Sequence, residues 1–130
     1  MNIVVIGAGA WGTALANILS ENKHEVTLWG HDKTHLDEVQ KTRRNESYLP
    51  GIELSRDLKF EANLSKAVQK NECAVIAVPS KFFREVTSQL PRYDGIAISV
   101  TKGIEYETGL TMSGVLKSVM PNASHSALSG

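Results

Sequence analysis

The 130-residue chain is long enough for one domain with a real core, and its composition is ordinary globular, 42% hydrophobic and 22% charged. Lys and Arg number 14 and Asp and Glu number 14, so no general field draws nucleic acid or an anionic membrane, and an anionic ligand needs a local site. No apolar run approaches the roughly 20 residues of a membrane span, the N-terminus carries neither the basic region nor the cleavage signal of an export peptide, and one cysteine, Cys73, excludes an internal disulfide framework, which suits the cytoplasm.

Short apolar strands alternate with amphipathic helices. Residues 3–6 form a β-branched run read as a strand buried on both faces. A helix over 14–20 follows, with Ala14, Leu15, Ile18 and Leu19 as its apolar stripe. Residues 25–29 read as a second strand and 35–42 as a helix; 45–51 is a loop punctuated by Pro50 and Gly51. A weak strand at 58–60 and a short helix at 64–70 come next. The run 73–78 carries the strongest central-strand signal and places Cys73 in the core; Pro79 and Ser80 break it and open a helix over 81–90. A fifth strand at 95–100, a helix at 110–119 and the start of a sixth strand at 126–128 complete the series. Such alternation implies parallel pairing, right-handed crossovers and an open, doubly wound α/β sheet spanning 1–130. Ligands of such sheets lie beyond the carboxyl ends of the strands, which directs attention to the turns after Ile6, Trp29, Val78 and Val100.

The first of these turns, Gly7-Ala8-Gly9-Ala10-Trp11-Gly12, matches G-x-G-x-x-G between a buried strand and an apolar helix, the context that gives the pattern its meaning. Gly7 permits the tight turn, Gly9 lets the backbone approach a diphosphate, and Gly12 lets the helix pack closely on the strand. Free N–H groups at the helix start then supply the local anion site that a neutral chain lacks. The third glycine and Thr13-Ala14-Leu15-Ala16 favour a diphosphate over S-adenosylmethionine, and a Rossmann-type domain holding an NAD-type cofactor is the expectation. Trp11 has two readings: a cover on the cofactor, or packing against the partner helix. After the second strand the chain reads Trp29-Gly30-His31-Asp32-Lys33, with no carboxylate directly ending the strand. His31 and Lys33 suit a 2′-phosphate, and Asp32 suits either a ribose hydroxyl or a helix cap, so NADP or dual use with NAD is expected, NADP first. His31 and His35 have a spacing compatible with a metal, but no Cys or carboxylate cluster supports one, and no metal is expected. Lys102 follows an apolar strand at its carboxyl end. A cation there suits a substrate oxygen and the charge developing during hydride transfer; a solvated loop lysine is the alternative.

Residues 7–16 resemble the opening of the bacterial NAD(P)-dependent glycerol-3-phosphate dehydrogenases. Val26 to His31, Asn45 to Gly51, Val78-Pro79-Ser80, Thr101 to Glu105 and Leu128-Ser129-Gly130 agree in order and spacing, so the resemblance runs the length of the chain. It implies cofactor contacts at Ala10, Trp11, Tyr48, Pro79, Ser80 and Lys102, and substrate contacts at Lys102 and Gly130. Position 10 is often Ser in that family and position 31 often Arg, while Asp32 stands where a second basic residue is frequent; these departures bear on NADP preference. The resemblance further implies reduction of dihydroxyacetone phosphate to glycerol 3-phosphate for phospholipid synthesis, in a cytoplasmic homodimer. It implies too a helical second domain bearing the general acid/base lysine. The chain is therefore expected to be the N-terminal portion of a longer enzyme and inactive by itself. Two other readings stand: a separate dinucleotide-binding or sensor module, and a dehydrogenase of another hydroxyacid or sugar acid.

Overall fold

Residues 3–6 carry no polar side chain, so both faces of that strand need cover and it belongs in the middle of a sheet. The computed structural model, which describes residues 1–69 and 71–127, places it there. The elements are β1 (Asn2–Ile6), α1 (Ala10–Glu21), β2 (Glu25–Trp29), α2 (Lys33–Thr42), β3 (Lys59–Phe60), α3 (Leu64–Val68), β4 (Cys73–Ile76), α4 (Ser80–Thr87), β5 (Ile96–Ser99), α5 (Met112–Val119) and β6 (Ser124–Ala127). All six strands pair in parallel in the order β3-β2-β1-β4-β5-β6. The chain winds outward from β1 in one direction and from β4 in the other, so the order reverses between them and leaves a crevice at their carboxyl ends.

Alternation along the strands divides the core in two. Val4 and Ile6 of β1 with Ala74 and Ile76 of β4 face Phe83 and Val86 of α4 and Val115 and Leu116 of α5. Ile3 and Val5 with Cys73 and Val75 face Ala16 of α1 and Leu36 and Val39 of α2. Cys73 is buried as expected, and burial, with Glu72 adding a smaller effect, pushes its thiol above the usual range. The Tyr93 phenol is likewise pushed up by burial, and its hydroxyl donates to the Asn71 carbonyl (3.1 Å).

The largest departure from expectation is α1. It begins at Ala10, directly on the glycine turn, and its buried face is Gly12, Thr13, Ala16, Asn17 and Ser20 rather than the stripe of Ala14, Leu15, Ile18 and Leu19. Ile18 is exposed, whereas Leu15 and Leu19 are partly buried at the margin of the core. Small residues face the sheet because the turn brings the helix too close for large ones. β4 ends two residues early because Ala77 and Val78 turn toward the start of α4, although the Ala77 amide still donates to the Ile6 carbonyl (2.8 Å). β6 begins at Ser124, earlier than its sequence signal, while Leu128, Ser129 and Gly130 lie outside the described residues.

Candidate functional site

The four turns singled out in the sequence line one cleft of about 500 Å³ at the carboxyl ends of β1, β2, β4 and β5. Its walls include Gly7, Ala8, Gly9, Ala10, Trp11, Gly30, His31, Asp32, His35, Tyr48, Pro79 and Thr101. Gly7 sits at φ +123°, and a Cβ there would stand 2.9 Å from the Ala77 carbonyl carbon, so only glycine makes this turn without strain. A Cβ on Gly12 would run into the Gly7 carbonyl oxygen. Gly9 is different: a Cβ there would meet nothing within 4 Å. Nothing in the protein itself requires glycine at this position, and the open space beside it lies in the cleft.

Helix ends give the cleft its chemistry. Asp32, Asn63 and Thr111 cap α2, α3 and α5 with side-chain oxygens. By contrast α1, behind Gly9, and α4, behind Pro79, have no side-chain cap, and both start on the cleft wall. The first N–H groups of a helix have no partner within it, and each helix presents about half a positive charge there. Two uncapped helix starts on one cavity make a site fitted to an anion.

Trp11 is 57% exposed and Tyr48 is 55% exposed, and both border the cleft, so that a ligand seated there would cover apolar ring surface. For Trp11 the cleft position agrees with the reading in which it covers a ligand. His31 lies on the wall beside Asp32, whose Oδ1 accepts from the His35 amide (3.1 Å); the cap reading of Asp32 is thus realised, and its residue still borders the cleft. Among the described residues no group of three or more His, Cys, Asp or Glu side chains is placed to hold a metal.

Ser80 opens α4 next to the wall, and Gly103, at φ +136°, lies over it so closely that a Cβ would stand 3.1 Å from the Ser80 Cβ. Between Gly103 and the wall residue Thr101 comes Lys102, and this segment is anchored at both ends. The Thr101 hydroxyl donates to the Val78 carbonyl (2.6 Å). Arg84 of α4 donates through Nε and Nη2 to the two carboxylate oxygens of Glu105 (2.8 and 2.9 Å). The fork geometry is the strong form of an ion pair. The Arg84 guanidinium, and after it the Thr108 hydroxyl, hold the Glu105 carboxyl below the usual carboxylate range. A depressed folded-state value means that the pair contributes fully above the ordinary carboxylate range and is lost as pH falls through the depressed value. Limited proteolysis of the 101–111 segment should therefore accelerate in acid, and Glu105→Gln should cleave readily already at neutral pH, with a flatter acid dependence.

Sequence reasoning missed Gly30, Thr101 and Asn45 as site-forming residues. A Cβ on Gly30 would stand 2.9 Å from that of Ala8, so this glycine lets the second turn approach the first. Gly130 lies outside the described residues. A wider groove, about 720 Å³, runs along the β2–β3 edge. On its wall Lys59 pairs with Glu25 (3.0 Å), and Arg43 donates to the Leu58 carbonyl (2.6 Å) over the Phe60 ring.

Comparison with known proteins agrees with this geometry. The family described as NAD-dependent glycerol-3-phosphate dehydrogenase N-terminus matches residues 2–130. A glycerol-3-phosphate dehydrogenase [NAD(P)+] of Syntrophotalea carbinolica is 40% identical over 124 residues, 93% of this chain and 37% of the relative. That of Bacillus velezensis is 37% identical over 122 residues, 92% of this chain and 35% of the relative. The chain thus spans little more than a third of the curated relatives it matches. The crystal structure of glycerol-3-phosphate dehydrogenase from Coxiella burnetii superposes with a TM-score of 0.90 at 30% identity, covering 98% of this chain and 40% of that one. A ketopantoate reductase from Ralstonia eutropha, at TM-score 0.77 and 20% identity, covering 98% of this chain and 40% of that one, shares the fold. With the family match running from Asn2 to the last residue, on a doubly wound sheet with a glycine turn at its switch point, this chain belongs to the NAD-dependent glycerol-3-phosphate dehydrogenase family and corresponds to its N-terminal part.

Proposed function

We propose that this chain is the dinucleotide-binding portion of an NAD(P)-dependent dehydrogenase that interconverts dihydroxyacetone phosphate and glycerol 3-phosphate, the step that supplies glycerol phosphate for phospholipid synthesis. The observation that carries the reading is the pair of uncapped helices, α1 and α4, opening on one cleft beside the empty space at Gly9. The cofactor's diphosphate rests against the amides of Gly9, Ala10 and Trp11, with Gly7 and Gly12 shaping the turn. His31 meets the 2′-phosphate of NADP and Asp32 a hydroxyl of the adenosine ribose, with Tyr48 on the same wall. Pro79 and Ser80 border the nicotinamide side. When bound, the nicotinamide supplies or accepts the hydride; the chain's residues orient it and keep the diphosphate dry. Lys102, in the segment anchored at Thr101 and Glu105, is the group for a substrate oxygen, where a cation stabilises developing charge. Gly130 is assigned to the substrate side through the resemblance.

Either cofactor is used, NADP with a modest advantage, in a cytoplasmic homodimer. The remaining groups for substrate phosphate and proton transfer belong to the helical part of such enzymes, so these 130 residues bind cofactor without turnover. Titration with NADPH and NADH followed by tryptophan fluorescence tests the reading, and failure of both to bind would overturn it. Measurable dihydroxyacetone phosphate reduction by the 130 residues alone would overturn the assignment of chemistry to the other part. Side-by-side titration of His31→Ala tests the phosphate contact: the NADPH advantage should shrink by roughly two- to fivefold, the worth of one exposed charge contact, with NADH affinity unmoved. An unaltered ratio would remove His31 from that role.

A further inference from the structure

Asn45 is 1% exposed in a loop that otherwise lies at the surface, and a buried carboxamide needs all its hydrogen bonds. It makes them across three elements. Its Nδ2 donates to the Ala8 carbonyl (3.0 Å) and to the Thr13 hydroxyl (2.9 Å). The Ala8 carbonyl only accepts, so the amide's orientation is fixed, and its Oδ1 faces His35 Nε2 at 3.0 Å. That nitrogen must therefore carry a proton, which sets the His35 tautomer. The Asn45 backbone carbonyl accepts from the Leu49 amide (2.7 Å), closing the turn that presents Tyr48, whose ring meets His35 edge-on at 5.3 Å.

We propose that Asn45 is a positioning residue for the diphosphate site, aiming the Gly9 amide by holding the Ala8 carbonyl; this rests on the dinucleotide reading above. The Ala8 carbonyl and the Gly9 N–H belong to one peptide unit, which is planar and trans, so they point in opposite directions. The Asn45 carboxamide grips the oxygen from the buried side, and the N–H is thereby turned away from it. With no Cβ at Gly9 and no side-chain cap on α1, an unheld peptide is free to rotate. Asn45 removes that freedom before the ligand arrives, so the site does not spend binding energy on ordering the turn.

The test uses two variants and ligands that divide the cofactor. Asn45→Asp keeps an oxygen for His35 but cannot donate to Ala8, while Asn45→Ala removes the grip without adding charge. Both should lose about tenfold or more in affinity for ADP and NADPH, the scale of one lost hydrogen bond to a charged group. Asn45→Asp should keep its affinity for adenosine, which lacks phosphates. Equal losses for adenosine and ADP in Asn45→Asp would show general damage to the cleft and overturn the proposal. So would full ADP affinity in Asn45→Ala, since added charge alone would then explain the Asp variant. Should both variants fail to fold, the unaltered protein decides: its Gly9 amide resonance should move on titration with inorganic pyrophosphate. A static Gly9 resonance, with NADPH still quenching tryptophan emission, would sink this inference together with the Gly9 contact but leave dinucleotide binding standing; absence of any NADPH binding would sink the dinucleotide reading itself.

Discussion

Gly9→Val is expected to abolish tight dinucleotide binding while leaving the melting temperature unchanged to within about 2 °C, because surface substitutions away from packed features rarely exceed about 0.5 kcal/mol. The protein has room for the side chain: nothing stands within 4 Å of a Cβ at this position, and φ lies on the ordinary side of the map. The ligand does not have that room. A valine side chain would occupy the space in which a diphosphate approaches the main chain, and forced overpacking of this kind costs up to about 3 kcal/mol, on the order of a hundredfold in affinity. Isothermal titration with NADH and NADPH, paired with a thermal melt, checks both halves. Unchanged affinity would remove the diphosphate from the glycine turn.

Gly12→Ala should do the reverse and strike the fold first. Its Cβ would run into the Gly7 carbonyl oxygen and lie 3.4 Å from the Ala77 Cβ, so α1 can accept it only by moving off β1 and β4. Helix propensity favours alanine over glycine by about 1 kcal/mol, yet the clash is with main chain that cannot rotate away. Net destabilisation of about 2 kcal/mol or more is expected, within the range seen for overpacked cores. Urea unfolding reads it directly, and a variant as stable as the parent would mean that the helix does not press on the turn. The two glycines thus separate ligand accommodation from chain packing in one motif.

The fingerprint read in the sequence already assigned Gly9 to ligand approach and Gly12 to helix packing; what it could not show is that Gly9 has open space beside it while Gly12 lies against the Gly7 carbonyl oxygen. Apolar and β-branched runs exposed β1, β2, β4 and β5 and with them the doubly wound architecture, because a buried parallel strand leaves such a run; β3 is only two residues long, and β6, Ser124-His125-Ser126-Ala127, starts two residues before its signal. The turns at the strand ends were legible for the same reason. The buried face of α1 was not: Leu15 and Ile18 are more hydrophobic than Gly12, Thr13, Asn17 and Ser20, yet closeness to the sheet favours the small residues. Nor was Asn45, which reads as a surface-loop residue until its tertiary partners are known. A buried carboxamide satisfied by residues 32 and 37 positions away in sequence leaves no local signature. Trp29 ends β2 as expected, but the bond from its indole N–H to the distant Ala62 carbonyl (2.9 Å) leaves no local signature either.

The uncapped starts of α1 and α4 carry a kinetic consequence. Their partial charges are fixed dipole ends that act over a few ångströms, on a molecule with 14 cationic and 14 anionic side chains. These 130 residues therefore add no net field to gather a charged nucleotide from a distance, and the pull of the two helix ends is confined to short range. For the helix ends, selection falls in the last few ångströms, where added salt screens a contact less than it screens guidance from afar.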